Sequence, residues 1–111
     1  MDCYEIWVNL RPGVKDLEFH QAVEAYCGYL KDRGLLESHR VRLRKLGFGP
    51  EELGLWNITL EFTGMAQMDQ CFNLVATRTG EVEALHAAVY SKVCDFRAGL
   101  YRDFPDPVRG R

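Results

Sequence analysis

Four stretches of the chain change side-chain character at every second residue, and between them the apolar period lengthens to that of a helix. In the first stretch, CYEIWVNL at residues 3–10, Tyr4, Ile6, Val8 and Leu10 alternate with Cys3, Glu5, Trp7 and Asn9. Successive side chains of a strand point to opposite faces, so this segment has two unlike sides. The turn RPG follows, and Asp16 is placed to cap a helix running to about residue 33. Phe19, Val23, Tyr26 and Leu30 recur along that helix at helical spacing, widened by Ala22, Cys27 and Tyr29, and Gly34 ends it.

Alternation returns in LESHRVRLRKL (36–46) and LWNITLEF (55–62), an antiparallel pair separated by the breakers of GFGPEELG. Thr63 is placed to cap a second helix with Met65, Met68, Cys71, Phe72 and Val75 on its apolar side. That helix is interrupted near Thr79 and Gly80 before Val82, Leu85, Val89 and Val93, so a kink, a short loop or two helices all satisfy the pattern. CDFRAGLYRDF (94–104) alternates again, with Phe96, Ala98 and Leu100 set against Arg97, Gly99 and Tyr101.

The order is therefore β-α-β-β-α-β with the second helix split or kinked. Chains of this order form a ferredoxin-like α+β layer, a four-stranded antiparallel sheet with helices on one face. Residues 1–104 form one domain and 105–111 a C-terminal tail, without internal repeats. A hydrophobic fraction of 47% in 111 residues is enough for a core and argues against a disordered chain.

The net charge of -2 supplies no general attraction to nucleic acid or to an anionic membrane, so any anion site is local. No apolar run approaches the roughly 20 residues a spanning helix needs, and the N-terminal residues do not read as a secretion signal. A cytoplasmic location is the expectation, with no nucleic-acid or membrane partner. Cys3, Cys27, Cys71 and Cys94 have no zinc-type spacing and read as reduced, mostly buried thiols. His20, His39 and His86 form no HxH or HExxH pattern, and neither a metal site nor a cofactor is expected.

Function rests on the sheet face the helices leave bare. If Val41 and Leu43 lie over the core, Arg40, Arg42 and Arg44 stand beside Asn57, Thr59 and Glu61, with Trp7, Asn9, Arg97 and Tyr101 on the same side. Arginine and carboxylate neighbours pair across strands, yet three arginines there outnumber the acids that face them. Solvated or partner-neutralised charge is the plainer reading, and recognition of an anionic molecule the sharper one. A sheet with exposed aromatics suggests RNA binding, but an RNP-like run is missing. In VEALHAAVYSKV, His86 is a core-edge histidine or a proton acceptor, and Tyr101 a packing residue or a catalytic phenol.

Taken together, CYEIWVNL, FHQAVEAYCGYL, the SHRVRLRKL and LWNITLEF pair and the closing FRAGLYRDFPD resemble the dimeric α+β barrel superfamily, in particular its small NIPSNAP-like domains. That group includes small monooxygenase-like, haem-degrading, chlorite-dismutase-like and stress-responsive barrel proteins. The resemblance implies a homodimer whose bare sheets pack face to face and line a shared interior. The resemblance transfers no active site; from the residues of the bare face, the leading expectation is a small polar or anionic organic ligand in that interior, held by some of Trp7, Asn9, Arg40, Arg42, Arg44, Asn57, Glu61 and Arg97. A cofactor-free monooxygenase in which Trp7 and Asn9 position substrate and His86 or Tyr101 handles a proton is the alternative, and a dimer without catalysis a third reading.

Overall fold

A computed structural model of the protein describes residues 1–106. Its elements run β1 (Asp2–Leu10), α1 (Asp16–Asp32), β2 (Ser38–Leu43), β3 (Trp56–Phe62), α2 (Met65–Ala76), α3 (Gly80–Tyr90) and β4 (Val93–Arg102). The strands form one antiparallel sheet in the order β2-β3-β1-β4, with the helices on one face: the ferredoxin-like α+β arrangement. The second helical region is two helices separated at Thr77–Thr79. The expected tail lies largely outside the described residues, which end at Asp106.

The register follows the alternation. Ile6 stands opposite Ile58 and Ala98, and Val41 opposite Ile58, so one parity of every strand faces the helices. Val8, Ile58, Leu60 and Phe62 meet Phe19, Val23, Cys27 and Leu30 of α1 and Met68 and Cys71 of α2 in one core. Phe19 packs edge-on to Trp56, with ring centroids 5.2 Å apart.

Helix ends depart from expectation in detail. Lys15, not Asp16, occupies the α1 cap position, and the Asp16 carboxylate accepts from the Leu17 amide at 2.6 Å. Gly64 precedes α2, where Gln67 reaches back to accept from the Thr63 amide at 2.7 Å, reversing the expected donor of the cap. The hydroxyl of Thr79 bonds to that of Thr77 instead of an amide of α3. Gly34 does terminate α1: with φ of 69° it closes a Schellman turn, its amide donating to Lys31 and that of Leu35 to Leu30.

Candidate functional site

The open face of the sheet, away from the helices, collects the arginines as expected, since Arg40 pairs in register with Thr59 and Arg42 with Asn57. At its centre the Glu5 carboxylate accepts from Asn57 Nδ2 at 3.1 Å and from Thr59 Oγ1 at 3.0 Å, which satisfies a threonine only 8% exposed. Glu61 accepts from the Ser38 hydroxyl at 2.8 Å and lies 3.9 Å from Arg40. Arg42 and Arg97 flank Asn57 and Trp7 in the neighbouring row, and both are exposed.

Arg44 parts company with the other two. β2 ends at Leu43, and the Arg44 guanidinium folds over the β2–β3 loop, donating through Nη2 to the carbonyls of Pro50 and Leu53, each at 2.9 Å. It holds a loop that displays Leu46 and Phe48 to solvent. Asn9 is also committed to structure, accepting from the Leu55 amide at 2.9 Å and donating to Asp95 at 3.1 Å. Tyr101 lies over Gly99 on the open face, its ring 3.3 Å from where a Cβ would stand.

His86 lies on the other side of the sheet. A cavity of about 470 Å³ opens there between the sheet and the helices. Its floor is the helix-facing parity of the strands, including Tyr4, Ile6, Ile58 and Leu60, and its roof includes Phe72 and Val75 of α2 and Val89 of α3. The walls are almost wholly apolar and aromatic. Phe72, Tyr90 and Phe96 remain partly exposed because they border this opening rather than the closed core. Cys27 and Cys71, in and beside this interior, are free thiols that burial pushes up to about 12 and about 11.

One end of the cavity is polar. Glu83, His86 and Tyr90 fall on one stripe of α3, because residues three and four apart in a helix are neighbours. His86 stacks on Tyr26 of α1, centroids 5.2 Å apart, and meets Tyr90 edge-on at 4.9 Å. Its Nδ1 is buried and has no hydrogen-bond partner among the described residues. Burial lowers the His86 pKa, opposed by the Glu83 carboxylate and assisted by the Arg78 guanidinium. The imidazole is therefore held toward its neutral form, as a proton acceptor requires. Burial raises the Tyr26 pKa strongly, and the Tyr90 hydroxyl donates to Glu83 at 2.8 Å.

His86 and Tyr101 thus occupy opposite faces of one sheet, and the fold of the chain does not bring them together. Sequence reasoning missed Tyr26, Arg78 and Glu83. The signal was present in EVEALHAAVY, where Glu83 precedes His86 by one helical turn, and in Tyr26, a phenol set among core-facing positions. Among the described residues, no group of three or more His, Cys, Asp or Glu is placed to hold a metal, and no helix is long and apolar enough to cross a membrane.

A family model matches residues 1–111 over their whole length, and its description is a family of unknown function, DUF6614. The chain belongs to that family. No curated protein matches this family member. Its fold is similar to that of a protein from Arabidopsis thaliana, at a TM-score of 0.73 and 6% identity over 96% of this chain and 98% of that one. SnoaB, a cofactor-independent oxygenase from Streptomyces nogalater, is similar at a TM-score of 0.66 and 7% identity, over 95% and 97% of the two chains. A dimeric protein of unknown function and ferredoxin-like fold from Bacteroides fragilis is similar at 0.55 and 14%, over 92% and 95%. At these identities the likeness is one of fold.

Proposed function

We propose that this protein is a homodimer that binds a small organic molecule, apolar over most of its surface and polar or ionised at one end, in the cavity between sheet and helices. The cavity carries the reading. A concave apolar space with a few polar groups converging at one end, one of them a buried histidine nitrogen lacking a partner, is the usual form of a ligand site.

The open face then serves the dimer. It carries Trp7 beside the exposed Arg97, with the exposed Arg42 beyond Asn57 in the same row, a surface that a second copy can cover while the cavity on the opposite side stays accessible. The dimeric fold neighbour from Bacteroides fragilis supports this reading. Arg40, Arg42, Asn57, Glu61 and Arg97 are assigned to that interface, and the competing assignment is an anion held by the arginines themselves.

Native mass spectrometry of freshly purified protein, with Trp7→Arg and Val75→Trp variants, tests both parts. The account expects a dimer carrying a reproducible extra mass, lost on filling the cavity at residue 75, and a monomer for Trp7→Arg. A ligand retained by Val75→Trp but lost on Arg42→Ala would move the site to the arginine row.

A second reading, a cofactor-free oxygenase, is favoured by His86 alone: a neutral imidazole inside an apolar pocket can take the proton of a phenolic substrate, leaving an electron-rich anion for dioxygen. The oxygenase activity of the fold neighbour SnoaB points the same way. Turnover would consume oxygen and collapse in His86→Phe; unchanged consumption in that variant would refute it.

A further inference from the structure

We infer that the ligand of this cavity is a planar aromatic monoanion, a carboxylate or phenolate, and that Arg78 is the residue that selects its charge. The inference rests on the cavity reading above and adds the chemical class of what enters.

Among the described residues, Arg78 is the one lysine or arginine that lines the cavity. Among the described residues no carboxylate lies within salt-bridge distance of it. Glu83, the acid whose charge reaches the same rim, accepts the Tyr90 hydroxyl at 2.8 Å instead. The Arg78 guanidinium lies 6.0 Å from the Tyr90 ring centroid, so an aromatic face holds the cation at the cavity mouth. A cation bordering apolar walls gains most from an ionic partner that also brings apolar surface.

The backbone supplies an independent observation. Arg78 has φ of 51°, in the left-handed region where a helix C-terminus ordinarily places glycine or asparagine. The linker around it is fixed: the Arg78 amide donates to Val75 at 3.2 Å and the Thr77 hydroxyl to Leu74 at 2.7 Å. A long cationic side chain at a position better suited to glycine contradicts local propensity, and such contradictions concentrate at functional sites.

The walls set the rest of the ligand. Tyr4, Phe72, Tyr90 and Phe96 offer ring faces and edges that suit a flat aromatic body. Glu83 stays engaged with the Tyr90 hydroxyl at the same rim, so the Arg78 guanidinium can meet one further negative charge, whereas the second charge of a dianion would face Glu83 and apolar walls. The fork of the guanidinium matches two oxygens of a carboxylate.

Isothermal titration calorimetry with 2-naphthoate and its neutral counterpart 2-naphthamide tests this, on wild type, Arg78→Gln and Arg78→Lys. The expected result is about tenfold tighter binding of naphthoate than of naphthamide by wild type, the size of one charge-assisted contact. Arg78→Gln should remove that preference by weakening naphthoate far more than naphthamide, and Arg78→Lys should restore part of it. Equal affinity for the two probes in wild type, or a preference that survives Arg78→Gln, overturns the inference and leaves the cavity reading standing. Absence of heat from both probes at millimolar concentration overturns both. Arg78→Gly supplies a readout independent of the cavity: it relieves the left-handed backbone, so it should melt no lower than wild type while losing the preference for naphthoate. A lower melting temperature would show that the side chain is there for stability, against the inference.

Discussion

Replacing Arg44 by alanine separates the three alternating arginines of SHRVRLRK into one that holds structure and two that do not. Its Nη2 donates two hydrogen bonds of 2.9 Å, to Pro50 and Leu53, and approaches the Gly54 carbonyl at 3.5 Å. Bonds from a charged donor contribute about 1.5–3 kcal/mol each. Because Arg44 is only half-buried and water can reach part of the loop, the lower end applies, giving about 2–3 kcal/mol for the pair. The arginine also fills the space beside Gly49, where a Cβ would stand 2.5 Å from Nε, so truncation leaves the loop without its packing partner. Arg40, with its side chain 62% exposed and 3.9 Å from Glu61, and the exposed Arg42 should each change stability by no more than about 0.5 kcal/mol. Urea unfolding of the three alanine variants at one fixed protein concentration reads the difference, and thermal scans should place Arg44→Ala about 10 °C below wild type. An Arg44→Ala variant as stable as Arg40→Ala would refute the clamp.

Two further outcomes follow from the packing. A Cβ at Gly54 would overlap the backbone carbonyl of Val8 in a central strand, so Gly54→Ala should cost about 3 kcal/mol or more, read by the same unfolding assay. Burial lowers the His86 pKa beneath its ordinary 6.5, so the unfolded chain binds the proton more readily. The corresponding stability is fully present above about pH 6.5 and is lost as the pH falls through the depressed folded value; stability measured from pH 7.5 to 5 should fall less steeply in His86→Gln than in wild type.

Period-two alternation carries the sheet because register puts every even-numbered residue of β1 on one face, and it placed Arg40 and Arg42 correctly beside Thr59 and Asn57. Strand ends were less legible. LESHRVRLRKL alternates as far as Arg44, after which Lys45 and Leu46 reverse the parity; β2 is complete at Leu43, and the Arg44 side chain turns to the loop carbonyls, a tertiary contact without a local signal. Phe96 and Leu100 have core parity, but both are about half exposed, since β4 is an edge strand that the helices only partly cover. The same gap is the cavity. Apolar residues lining a hole show the periodicity of residues filling a core, so the sequence pointed to the polar face of the sheet and concealed the pocket behind it. Tyr26 and His86 are 60 positions apart, and their stacking depends on how α1 packs on α3.

Methyl-resolved NMR during titration with 2-naphthoate distinguishes a ligand on the helix side of the sheet from one on the open face. Binding in the cavity should concentrate the shifts at Ile6, Ile58, Leu60, Val75 and Val89 and leave the Trp7 indole unmoved. Shifts centred on the Trp7 indole and the side chains of Arg42 and Arg97, with those methyls silent, would contradict it.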